Sequence, residues 1–184
     1  MQDKQQRLKD KLYPQISEFI ERHRSMQLAT LDARGLPCAS YSPFAYINGA
    51  FFVLLGDFTQ HGQNLKHNQN LGMLIIEDEQ QAETIYIRKR VSYQGQASCC
   101  KKGSADWSQG VEALVSRFGA TLEKLALLDE YQLYRLEPIR GRYVRGARQV
   151  FNIDSAGDIE FEPVVDGYQK ICGQESVSKV EGEI

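Results

Sequence analysis

The 184-residue chain reads as mainly β: a small antiparallel β-barrel with flanking helices. Two observations point there. Short runs rich in β-branched and aromatic residues recur between turn signals, and most are joined by tight turns rather than by helix-length crossovers. Helical periodicity is confined to one stretch near the N-terminus and one or two after residue 100. A barrel of about six strands is filled by its own side chains. A ligand would then lie outside it, most naturally in a groove between two subunits.

The elements follow in order. Leu8, Leu12, Ile16, Phe19 and Ile20 recur at helical spacing among charged residues and predict an amphipathic helix over 3–24, with Pro14 a kink or break. Met26–Leu31 is a strand ending at the turn Asp32-Ala33-Arg34-Gly35. Pro37–Ala45 is the next strand, and Asn48-Gly49 signals a hairpin into Ala50–Gly56. The polar stretch Asp57–Asn70 predicts a loop and short helix, Leu71–Glu77 a strand and Glu77–Glu83 an acidic turn. Thr84–Ser98 is long enough for one bent strand. Trp107, Val111, Leu114, Val115 and Phe118 define a second helix ended by Gly119, and a short helical turn follows at 122–128. Tyr131–Leu136, Arg142–Ile153 and an edge strand Ile159–Pro163 complete the set. One domain over 1–172 is expected, with the polar residues 173–184 a flexible tail.

Composition narrows the function classes. A net charge of −2 argues against a general nucleic-acid coat, which needs a positive excess to displace counterions. No apolar run approaches the roughly 20 residues of a membrane span, and the charged opening MQDKQQRLKDKLY has no apolar core of a signal peptide. A cytoplasmic protein with reduced thiols is expected. Cys38, Cys99, Cys100 and Cys172 form no CxxC pair, and His23, His61 and His67 make no metal motif.

Phosphate-binding glycine loops and hydrolase motifs are absent. The sharpest local signal is charge. Arg135, Arg140, Arg142, Arg145 and Arg148 fall in one short stretch with a single acid, Glu137, and Arg88-Lys89-Arg90 form a second cluster. Guanidinium groups match carboxylates and phosphates in geometry, so two basic strands can flank an anionic small molecule. The same charges also read as a solvated face paired with the acidic turn Glu77–Glu83. Both readings stay open at this point.

Several blocks carry a family likeness. LATLDARGLPCASYSPF, FFVLL, HGQNL, LIIEDE, RKRVSYQGQAS, YRLEP, YVRGARQVF and DGYQKI occur in an order and spacing that resemble the haem-utilisation branch (HugZ/HutZ type) of the pyridoxamine 5'-phosphate oxidase-like, FMN-binding split-barrel superfamily. The likeness covers about residues 5–172. It implies a six-stranded antiparallel split β-barrel that forms a homodimer, with haem at the subunit interface. It also implies oxygen-dependent haem degradation in iron acquisition, fed by an external electron donor.

The resemblance carries site roles with it. Arg90 in RKRV matches the distal arginine, a hydrogen-bond donor beside the iron. Tyr168 in DGYQK stands where relatives place an axial histidine, and a phenolate can ligate ferric haem. Glu130 falls where histidine-ligated members have an aspartate that tunes the proximal ligand. His61 in QHGQNL matches a recurrent histidine, although a helix-start or hydrogen-bonding role suits it better. Arg145 joins the expected haem contacts. Gly146-Ala147-Arg148 departs from the Gly-Phe-Gly pattern of relatives, so Arg148 would alter the local turn.

Two alternatives differ in ligand or in turnover. An FMN-binding oxidoreductase of the parent superfamily needs a phosphate clamp after Ala50–Gly56, but no Lys or Arg occurs before Lys66 and only Thr59 offers a hydroxyl. A non-catalytic haem storage or delivery protein would fit the changes at Tyr168 and Glu130.

Overall fold

The computed structural model describes residues 2–146 and 149–162. Helix α1 (Gln2–Arg22) leads into strands β1 (Ser25–Leu31), β2 (Pro37–Pro43), β3 (Ala45–Ile47) and β4 (Ala50–Gly56). Helix α2 (Gln60–His67) precedes β5 (Asn70–Ile76) and β6 (Arg90–Cys99). Helices α3 (Ala105–Phe118) and α4 (Ala120–Leu127) follow, then β7 (Tyr131–Gly146), β8 (Gln149–Ile153) and β9 (Ile159–Phe161).

The strands form one antiparallel sheet, with order β2-β1-β5-β6-β7-β4-β3 and β8-β9 attached to β7. Six long strands, β1, β2, β4, β5, β6 and β7, carry the expected split barrel, and β3, β8 and β9 are short additions. The split is visible in β7. Residues 131–136 pair with β4, whereas Gly141 to Gly146 pair with β8 along the same edge. Between them a bulge interrupts the β6–β7 register: Gln94 faces Arg140, yet Gly95 faces Pro138. An extra residue bends a strand and sharpens its twist. Here it lets β7 leave one partner and take up another.

Alternation sorts the side chains. Met26, Leu28 and Thr30 of β1, Met73 and Ile75 of β5, Val91 and Tyr93 of β6, and Leu136 and Tyr143 of β7 point inward and are buried. Leu12, Ile16, Phe19 and Ile20 of α1 join this core. The inward stripe of α1 runs through Pro14 without a break. A second apolar cluster, with Phe52, Leu114 and Leu133, holds α3 and α4 against the β3–β4–β7 side.

The sequence expectations hold for most elements. Asn48 and Gly49 both have positive φ, as a tight hairpin between β3 and β4 requires. Three expectations are corrected. Pro37–Ala45 is interrupted at Phe44, where the backbone N–H turns aside to the Arg24 carbonyl. The strand expected over 84–98 begins only at Arg90, because residues 77–89 form a loop tied by Glu77 N–H to the Lys89 carbonyl. The two strands expected at 131–136 and 142–153 are one continuous β7 followed by β8, with Pro138 accommodated beside the bulge. The expected tail 173–184, Cys172 and Arg148 lie outside the described residues.

Candidate functional site

The outward face of β1, β2, β5, β6, β7 and β8 is where the basic strands meet open space. Register defines its rows. One crosses five strands through Ala39, Ala29, Gly72, Gln94 and Arg140. A second runs through Tyr41, Gln27, Leu74, Ser92, Arg142 and Asn152. A third holds Ile76, Arg90 and Val144. Residues directly opposite in antiparallel strands share a face, so Arg90, Ser92, Gln94, Arg140 and Arg142 all look outward. The first row has little side-chain bulk over β1, β2 and β5. The result is a groove of about 580 Å³.

Arg90 stands beyond Ser92 on this face, half-buried, with one guanidinium nitrogen donating to the Arg88 carbonyl at 3.0 Å. Its other N–H groups make no bond to the described residues. Arg88 behaves differently. It donates to the Glu77 carbonyl and pairs with Glu79 at 3.0 Å, so within the 88–90 cluster the paired-face reading holds for Arg88. The arginines of β7 divide in the same way. Arg135 pairs with Glu137, and Arg142 with Glu162 at 3.0 Å.

Arg145 does not share the face of Arg140 and Arg142. It lies an odd number of residues from both, and its guanidinium donates to the Gln15 side chain of α1 at 2.8 Å and to Gln149. It belongs to the side that α1 covers, away from Arg90. The two-residue spacing of Arg140 and Arg142 was the available sequence signal that these two, and not Arg145, form the basic wall.

His61 lies in the second position of α2 and is buried. Its Nδ1 is 2.8 Å from the Thr30 hydroxyl, which also accepts from the Asn64 amide at 2.8 Å. With the hydroxyl oxygen taking the Asn64 proton, the Thr30 O–H is free to donate to Nδ1. Burial holds the imidazole below its ordinary pKa, and Nε2 has no partner among the described residues. The ring fastens α2 to β1 from the inward side, so His61 is not on the outward groove. At the start of α2, His61 hydrogen-bonds to Thr30.

The segment where an FMN phosphate would be clamped is already engaged. The Thr59 hydroxyl donates to the Gly56 carbonyl at 2.7 Å and accepts from the Gly62 N–H at 3.1 Å, capping α2. Lys66 Nζ lies 2.9 Å from the Asp57 carboxylate. A Cβ on Gly62 would collide with the Gly56 carbonyl oxygen, so this turn is packed against its own backbone.

Glu130 precedes β7 at the end opposite Arg90. Its carbonyl accepts from the Asp57 N–H at 2.7 Å, and its carboxylate is exposed. Tyr168 lies outside the described residues. Among the described residues, no helix is long and apolar enough to cross a membrane.

An open six-strand antiparallel sheet split at the β7 bulge, with helices on both sides, defines a split-barrel protein. The profile described as pyridoxamine 5'-phosphate oxidase matches residues 12–145, and the chain belongs to that family. Within it, the chain is 35% identical over 170 residues to the heme oxygenase HutZ of Vibrio cholerae serotype O1, covering 92% of this chain and 97% of that protein. The crystal structure of HutZ, described as a heme storage protein from Vibrio cholerae, superposes with a TM-score of 0.65 at 36% identity, covering 69% of this chain and 89% of that one. Campylobacter jejuni ChuZ superposes with a TM-score of 0.75 at 25% identity, over 84% of this chain and 63% of the other. The chain therefore sits in the HutZ-type branch that its sequence blocks resemble.

Proposed function

We propose that this protein binds haem on the outward groove and supports its oxygen-dependent degradation in iron acquisition. A second copy of the chain would close the groove, and an external donor would supply electrons. The observation that carries this reading is Arg90: a partly engaged guanidinium on the same outward face as Arg140 and Arg142, in a chain similar to a heme oxygenase along nearly its whole length. Bound haem would supply an oxygen-activating iron together with the macrocycle that is consumed.

The chain's own residues have separate tasks. Arg90 directs fixed N–H donors at the distal side, held by the bond to the Arg88 carbonyl. Arg140 and Arg142 present positive charge to the carboxylate edge of the ligand. Among the described residues no histidine lines the groove, since His61 faces inward to Thr30. Tyr168 is the proposed axial group, and Glu130 its neighbour. Arg90 of β6 faces Val144 near one end of the long strand β7, and Glu130 precedes its other end, so two subunits must share each ligand if both act on it. A cytoplasmic setting suits a reductant-dependent reaction.

The second reading is haem storage without turnover. Tyr168 favours it, because a phenolate ligand stabilises ferric iron against the reduction that oxygen activation needs. FMN is disfavoured by the engaged Thr59 hydroxyl and the Lys66–Asp57 pair. The test is a visible spectrum of the purified protein, a hemin titration, then ascorbate in air. A Soret band that forms and then decays is expected. A Soret band that persists selects storage, and a yellow flavin spectrum with no hemin response overturns the haem reading.

A further inference from the structure

The arginines of β7 differ in one respect that their sequence cluster hides. Arg135, Arg142 and Arg145 each engage an acid or amide side chain: Glu137, Glu162, and Gln15 with Gln149. Arg140 makes no hydrogen bond or ion pair among the described residues. It follows the β-bulge at Ile139, at the point where β7 changes partner from β4 to β8. It also lines three adjoining cavities, the groove of about 580 Å³ and neighbours of about 500 and 440 Å³.

A bulge re-aims the side chain beside it, and here it places an unengaged guanidinium where those cavities meet. A cation in that position is suited to a carboxylate, which guanidinium holds with two parallel N–H···O bonds. Among the described residues no acid engages it: Asp154, Asp158 and Glu160 line the neighbouring cavity, but Asp158 pairs with Lys9 at 2.9 Å, the Asp154 carboxylate accepts from backbone N–H groups of its own turn, and Glu160 accepts from the Gln5 amide at 3.3 Å.

We infer that Arg140 is the specificity residue for the acidic edge of the ligand, selecting a planar tetrapyrrole that carries free carboxylates over one that does not. This rests on the haem reading above. It separates two roles on one face: Arg90 acts toward the metal side, and Arg140 toward the carboxylate rim.

The experiment titrates the full-length protein with hemin and with hemin dimethyl ester, following the Soret band, for wild type, Arg140→Ala and Arg140→Lys. Arg140→Ala is expected to raise the hemin Kd about tenfold, as loss of one charge-assisted contact implies. The ester Kd should stay within about twofold of wild type, and Arg140→Lys should recover part of the hemin affinity. Unchanged hemin affinity, or equal loss on both ligands, overturns the assignment. Sedimentation of the same variants should match wild type. Dissociation of Arg140→Ala would assign the guanidinium to a carboxylate of a second copy and overturn it too. A wild-type protein that takes up neither ligand sinks the haem reading itself, a result that no Arg140 outcome resembles.

Discussion

The Thr30 hydroxyl and Nδ1 of His61 lie 2.8 Å apart at the buried seam between β1 and α2. Burial depresses the pKa of His61 below the ordinary 6.5, so the folded state keeps the ring neutral at pH values where the unfolded chain takes up a proton. The resulting stability is complete above about pH 6.5 and is lost as pH falls toward the depressed folded value. Urea unfolding midpoints should therefore drop between pH 7.5 and 5.5, with a shallower drop in His61→Asn. An identical slope in the two proteins would show that His61 does not titrate with folding.

Thr30 links two partners at once, and its removal exposes both. Thr30→Val keeps the shape but leaves His61 Nδ1 and the Asn64 amide buried without a bond. Each orphaned group costs about 1–3 kcal/mol, so a loss of about 2–6 kcal/mol is expected at neutral pH. Thr30→Ser retains the hydroxyl and should lose about 1 kcal/mol or less. Chemical denaturation of the pair measures the difference.

Gly62 sets how closely α2 approaches the end of β4. A methyl group there meets a backbone carbonyl, that of Gly56, which cannot rotate away as a side chain would. Gly62→Ala should destabilise the protein by about 1–3 kcal/mol despite its better helix propensity. A more stable Gly62→Ala would mean that the turn at Thr59 yields easily.

The role proposed for Arg90 predicts a functional split. Removing a preorganised donor that acts mainly in the reaction affects turnover more than binding. Arg90→Leu should slow ascorbate-driven loss of the Soret band about tenfold or more, with a change in hemin Kd of about threefold or less. A proportional fall in both would reduce Arg90 to a binding residue.

The parts of this architecture legible in the sequence are those governed by local rules. The turn after Met26–Leu31 marks the end of β1, and Asn48-Gly49 marks the β3–β4 hairpin because only residues tolerant of positive φ close it. The face of each basic residue was less accessible. Arg145 was grouped with the outward arginines by proximity along the chain, yet an odd offset and a register shift between Val144 and Gly146 turn it to α1. Separate strands are expected at 131–136 and 142–153, whereas the bulge beside Pro138 lets β7 continue between them. The length of Thr84–Ser98 suits one bent strand, but Ile85 and Tyr86 are exposed and the backbone over 84–89 pairs with no strand. Long-range pairing decides such cases, and no local propensity reports it.

The placement of Arg90 beside one end of β7 and Glu130 before the other makes a further distinction measurable. If each site takes Arg90 from one copy and Glu130 from the other, an Arg90→Leu subunit paired with a Glu130→Ala subunit contains one intact site and one doubly damaged site. Unfolding and refolding the two impaired variants together as an equal mixture should give about half heterodimers, and about a quarter of the wild-type haem-degrading activity should appear above the residual activity of either variant alone. Sites built within single subunits would remain damaged in every combination, and mixing would restore nothing. Sedimentation of the mixture confirms that dimers have re-formed, so a failure to regain activity in a dimeric sample would place Arg90 and Glu130 in separate functions.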